Sequence, residues 1–136
     1  MVGGVISYHV ISDGDWVEGN SHIECRDGIH VIEYRAEDSA GNISEVFTVP
    51  PIKLDRTAPD APIGLQVDPA GWSRENSFTL NWVNPGDLSG LAGVYYKQSS
   101  IPILPTDGIY VEPVPRSLSI SAKTEGEIPV YVWLKD

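Results

Sequence analysis

The chain holds a single cysteine, Cys25, among its 136 residues. An internal disulfide needs two thiols, so a disulfide framework is excluded, and so is a zinc site built on cysteines. Cys25 has no basic neighbour beyond Arg26, so nothing marks it as an activated thiolate. Histidines are few: His9, His22 and His30 are scattered without metal-ligand spacing. Basic residues are scarce as well, nine against nineteen acidic ones, for a net charge of −10. A phosphate backbone would be repelled by that surface, which excludes nucleic acid as a partner; acidity of this size mainly favours solubility. No apolar run approaches the length of a membrane-spanning helix. Paired carboxylates, a phosphate-cradling glycine loop and a nucleophile–base arrangement are all missing too. The expectation is a protein that is not an enzyme and carries no cofactor.

What the chain does have is punctuation. Thirteen glycines and eleven prolines are spread along it and interrupt any long helix. Apolar residues arrive in short runs between turn signals, the all-β pattern. Residues 4–11 read as a strand, followed by an Asp13-Gly14-Asp15 turn and a short strand from Trp16. His30, Ile32, Tyr34 and Ala36 alternate with Val31, Glu33, Arg35 and Glu37. That period of two gives a strand with one buried and one wet face. Asp38-Ser39-Ala40-Gly41-Asn42 supplies turn chemistry, and residues 43–49 are expected to return as the partner strand. Further on, Ile63, Leu65 and Val67 alternate, as do Phe78, Leu80 and Trp82. Residues 91–97 form the next strand; the stretch from Ser99 to Pro115, with four prolines, reads as an irregular crossing or an edge. Leu118 and Ile120, then Ile128, Val130, Val132 and Leu134, complete the series.

The chain also repeats itself. The run opened by Gly28 and ending at Asp38 is echoed by the run from Gly126 to Asp136, offset by 98 residues. Upstream, Gly3-Gly4-Val5-Ile6-Ser7-Tyr8 is echoed by Ser89-Gly90-Leu91-Ala92-Gly93-Val94-Tyr95-Tyr96, and Asp13-Gly14 by Asp107-Gly108. A period of that length suits one small domain rather than a solenoid unit. The expected organisation is the back part of a first module over residues 1–56 and a proline-containing linker over 57–62. The front part of a second module then follows over 63–136. On this expectation both modules are incomplete, the first without its opening strands and the second without its last.

The run Gly28-Ile29-His30-Val31-Ile32-Glu33-Tyr34-Arg35-Ala36-Glu37-Asp38-Ser39-Ala40-Gly41-Asn42, closing with Lys53-Leu54-Asp55-Arg56-Thr57-Ala58-Pro59, resembles bacterial immunoglobulin-like repeats of secreted and surface proteins. The second module is similar to a fibronectin type III domain. Residues 61–67 match its opening, and the Phe78-Thr79-Leu80-Asn81-Trp82 strand running to Pro85 matches its second strand. The resemblance implies tandem immunoglobulin-like (fibronectin type III-like) β-sandwiches, with Trp82 as a core tryptophan between two sheets. It implies an extracellular or cell-surface array used for spacing, display or adhesion, whose first partners are neighbouring modules of the same polypeptide.

Two groups of residues are candidates for binding. Asp38, Asn42, Asp55 and Asp60 place oxygen ligands where one module ends and the next begins, and clustered oxygens there are candidates for Ca²⁺. The competing reading gives Asp38 and Asn42 to the turn and the others to a solvated linker. By the 98-residue offset, Tyr131 and Trp133 replace Glu33 and Arg35 of the wet face, and Tyr95 alternates the same way. Such rings can stack on a polysaccharide or on a surface protein's apolar patch. The competing reading covers that face with the segment 98–115 or with a neighbouring module. Asn42-Ile43-Ser44 fits a glycosylation sequon but coincides with the turn.

Overall fold

The structure is a computed structural model that describes residues 5–11, 14–19 and 26–136. The chain divides into two compact units, Met1–Thr57 and Ala58–Asp136. The described residues form twelve β-strands in small antiparallel sheets and contain no helix. The chain is all-β.

In the first unit the strands are β1 (Val5–Ile11), β2 (Val17–Glu18), β3 (Gly28–His30), β4 (Ile32–Asp38), β5 (Phe47–Thr48) and β6 (Ile52–Leu54). One sheet runs β2-β1-β4-β5 and a second pairs β3 with β6. The expected turn forms after β4. The Asp38 carboxylate accepts the N–H groups of Ala40 and Asn42 at 2.9 Å, and Gly41 takes φ +89°, a conformation only glycine adopts without strain. The returning strand expected over 43–49 is a correction. Only an isolated bridge, Glu37↔Ile43, and the two residues of β5 pair with β4. The cause is Ser44, whose Oγ accepts the Ala36 N–H at 2.8 Å and donates to Glu45 O at 2.9 Å. A side chain there takes a backbone donor out of the ladder. Ile32 and His30 are the buried side chains of this unit among the described residues. His30 Nε2 donates to Arg26 O at 2.6 Å, so the histidine is a satisfied polar group inside.

The second unit holds β7 (Ile63–Asp68), β8 (Phe78–Val83), β9 (Gly93–Gln98), β10 (Ile109–Val111), β11 (Ser117–Ile120) and β12 (Val130–Lys135). Two three-stranded sheets result, β11-β8-β7 and β10-β9-β12. The alternation in each strand decides which side chains meet. Leu80 and Trp82 of β8 and Leu118 of β11 join Val94 of β9 and Leu134 of β12 in one cluster, with Val94 fully buried. Residues of both sheets thus share one core, consistent with a β-sandwich. Trp82 is 6% exposed and satisfies its indole N–H on Asn84 Oδ1 at 2.7 Å. The stretch from Ser99 to Pro115 is irregular except for β10, a short edge strand on β9. The echoed glycines share a backbone state. Gly28 has φ +133° and Gly126 φ +113°, so a side chain at either position would be strained.

Candidate functional site

The outer face of the β10-β9-β12 sheet gathers the aromatic candidates. The register sets Tyr95 opposite Trp133 on one side and opposite Tyr110 on the other. Directly opposite residues of an antiparallel pair share a face, so three rings from three strands form a ladder. Tyr95 and Trp133 are stacked at 5.5 Å between centroids with planes 8° apart, and Tyr95 and Tyr110 are tilted by 35° at 4.7 Å. Lys135, next on that face of β12, sets its Nζ 5.4 Å from the Tyr110 centroid. Tyr131 lies on the same face, opposite Lys97. Tyr95, Tyr131 and Trp133 are all half-buried.

Two glycines make sockets for these rings. A Cβ at Gly93 would stand 2.5 Å from Tyr110 Oη, and one at Gly108 would stand 2.7 Å from Cη2 of Trp133 and 2.8 Å from Tyr96 O. Contacts that short force a neighbour to move: at Gly93 the Tyr110 ring, and at Gly108 the Trp133 ring and the Tyr96 backbone, so close approach rather than a turn accounts for the two glycines. The loop between β9 and β10 fastens the ladder from above. Trp133 Nε1 donates to Pro105 O at 2.7 Å. Asp107 holds the loop shut: its Oδ2 accepts Lys97 Nζ at 2.5 Å and the Ile103 N–H at 2.9 Å, while Asp107 N donates to Leu104 O at 3.0 Å. The Lys97 hydrogen bond, then the Ile103 N–H, hold the Asp107 carboxyl below its ordinary value. Tyr110 is shifted upward, first by desolvation and then by its hydrogen bond with Glu112.

Open space beside the ladder is a shallow groove of about 640 Å³, with Pro102–Pro105 on one side and Val130–Trp133 on the other. A wider opening of about 1200 Å³ lies between loop 69–76 and the strand residues Leu65, Val67, Phe78 and Ile120. Trp72, 88% exposed, stands on that loop.

The oxygen candidates are placed differently. Asp38 and Asn42 are together, but as acceptor and donor: Asn42 Nδ2 gives its hydrogen to Asp38 Oδ2 at 2.9 Å. This bond first, then the Asn42 N–H, lowers the Asp38 pKa. Asp55 Oδ1 accepts the Thr57 N–H at 3.2 Å, and Asp60 is exposed. The turn and the linker end account for the oxygens of Asp38 and for Oδ1 of Asp55. His22, Cys25 and Asp13 lie outside the described residues, as does the side chain of His9. Sequence reasoning missed Tyr110, Gly93 and Gly108 as parts of the aromatic face. The cue was present in the echoed Gly93 and Asp107-Gly108.

No protein-family model and no curated protein matches the chain.

Proposed function

We propose that the chain is a non-catalytic structural or spacer module in a tandem array of immunoglobulin-like (fibronectin type III-like) β-sandwiches, part of a larger extracellular or cell-surface protein with spacing or adhesive work. One observation carries this reading: the aromatic rings gathered on the β10-β9-β12 face are engaged within the fold. Trp133 stacks on Tyr95 and gives its only polar hydrogen to Pro105, while Gly93 and Gly108 are emptied to seat rings. The strand sequence adds support. β7 and β8 lie in one sheet, β9 and β10 in the other, then β11 and β12 return to each in turn, as in a Greek-key sandwich. Pro59 and Pro62 follow directly on the boundary between the two units at Thr57 and Ala58, and proline favours an extended backbone there. The function is then mechanical: the strand ladders of each module resist extension.

Titration of the chain with soluble polysaccharides, following tryptophan fluorescence, tests this. No saturable change is the expected outcome; a saturable change lost in Trp133→Ala would overturn it. The second reading, an accessory polysaccharide- or protein-binding module of a secreted hydrolase, rests on the groove that Tyr131 and Trp133 share with Pro102–Pro105.

A further inference from the structure

The β3-β6 ladder of the first unit ends in a pair of acids. Its last pair is Gly28 opposite Leu54, and the same register would next set Asp27 opposite Asp55. Like charges directly opposite each other destabilise a ladder, so it does not continue there. Thr57 is bonded to both carboxylates instead. Its Oγ1 donates to Asp27 Oδ2 at 2.6 Å, and its N–H donates to Asp55 Oδ1 at 3.2 Å. Arg56 brings its Nε to 3.4 Å from Asp27 Oδ1, so a cation faces the Asp27 carboxylate. The Thr57 hydrogen bond, with the Arg56 N–H and side chain behind it, outweighs desolvation and lowers the Asp27 pKa.

Asp27 stands on a fixed base. Next to it, Arg26 O accepts from Nε2 of the buried His30 at 2.6 Å. On its other side Gly28 opens β3. An exposed ion pair ordinarily gains little, because two long side chains must be held in one geometry. Here the side chain of Asp27 is short and only 23% exposed, and its closest partner is a hydroxyl carried on the Cβ of Thr57. Holding that hydroxyl holds the chain itself. The boundary between the two units falls directly after Thr57.

We infer that Asp27 is the positioning residue that closes the first module: it clasps Arg56 and Thr57, so that ordered backbone runs past β6 to Thr57. The clasp also shields the peptide bond between Arg56 and Thr57. A trypsin-like protease needs arginine in a segment that can be drawn out of the fold. The Arg56 side chain is 60% exposed, so access to it is not the obstacle. The obstacle is Thr57, bonded through both its hydroxyl and its N–H. In a spacer, ordered chain up to that point leaves a shorter joint. That consequence rests on the proposed spacer role, whereas the clasp does not.

Two measurements on the whole chain test it. Heteronuclear NMR relaxation should give the amides of Asp55, Arg56 and Thr57 the order of Lys53 and Leu54 in β6. Asp27→Ala should lower that order at residues 55–57 alone. Trypsin should cut after Arg56 slowly in the parent and roughly fivefold or more faster in Asp27→Ala. Cleavage follows the population of the opened segment, and the substitution removes hydrogen bonds to a charged group. Lys53, inside β6, is the control: unchanged cleavage after it, with unchanged amide shifts for Gly28–His30, shows that the β3-β6 pair survives. Thr57→Val removes the hydroxyl at nearly constant shape and should reproduce the loss of order. A segment 55–57 already loose in the parent, an Asp27→Ala chain with order and cleavage unchanged, or loosening that reaches β3 and β6 would each overturn the inference. No ligand enters these readouts, so a saturable polysaccharide titration that overturned the spacer reading would leave them standing.

Discussion

Replacing Trp133 by alanine separates a ring that belongs to the fold from one that waits for a ligand. Removing a fully buried tryptophan costs about 3–5 kcal/mol. Trp133 is half-buried, so about half of that, roughly 2 kcal/mol, is expected from lost packing. The parallel stack on Tyr95 adds about 1 kcal/mol. The N–H given to Pro105 adds less, because the freed carbonyl is reached by water. The total is about 3 kcal/mol. Trp133→Phe keeps a ring on Tyr95 and loses the indole N–H together with the contact over Gly108, for about 1 kcal/mol. Urea denaturation followed by far-ultraviolet circular dichroism reads both, with an unchanged slope required for a two-state comparison. An exposed ligand platform predicts something else: both variants within about 0.5 kcal/mol of the parent, as for ordinary surface positions. That result would refute the reasoning.

Gly93→Ala forces the Tyr110 ring out of its socket and destabilises by about 1–3 kcal/mol, and Tyr110→Ala made with it recovers part of the loss. A double-mutant cycle by chemical denaturation measures that coupling. Leu134→Ala opens a cavity in the core shared by both sheets and costs about 2–5 kcal/mol by the same assay. The Asp107 carboxyl is shifted below 3.8, so its hold on Lys97 and Ile103 is complete above that pH and is lost as pH falls through the lower folded value. Fluorescence of Trp133, read in a background without the other tryptophans, should therefore change in strong acid. In Asp107→Asn this acid transition should be absent.

The core of the second unit was legible because its strands alternate without interruption. Phe78, Leu80 and Trp82 point one way along β8, and the structure buries Leu80 and Trp82. The turn after β4 was legible for a local reason, since Asp38 needs only neighbours within four residues to satisfy its carboxylate. Residues 43–49 misled because their composition suits a strand, while the competing bond from Ser44 Oγ to Ala36 is visible only in three dimensions. β10 was obscured by the prolines around it, and Tyr110 with it, because its partner Tyr95 lies fifteen positions earlier in the chain. The glycines were noticed for their repetition. Their reason is the volume of two rings from other strands, which no local pattern encodes.

The contact between Trp133 and its neighbours tests the central claim most directly. Nuclear Overhauser spectroscopy on the chain should show ring-to-ring contacts between Tyr95 and Trp133, and contacts from the Trp133 indole N–H to the residues at Pro105. An indole without those contacts, with its ring resonances at solvent-exposed positions, would contradict the account.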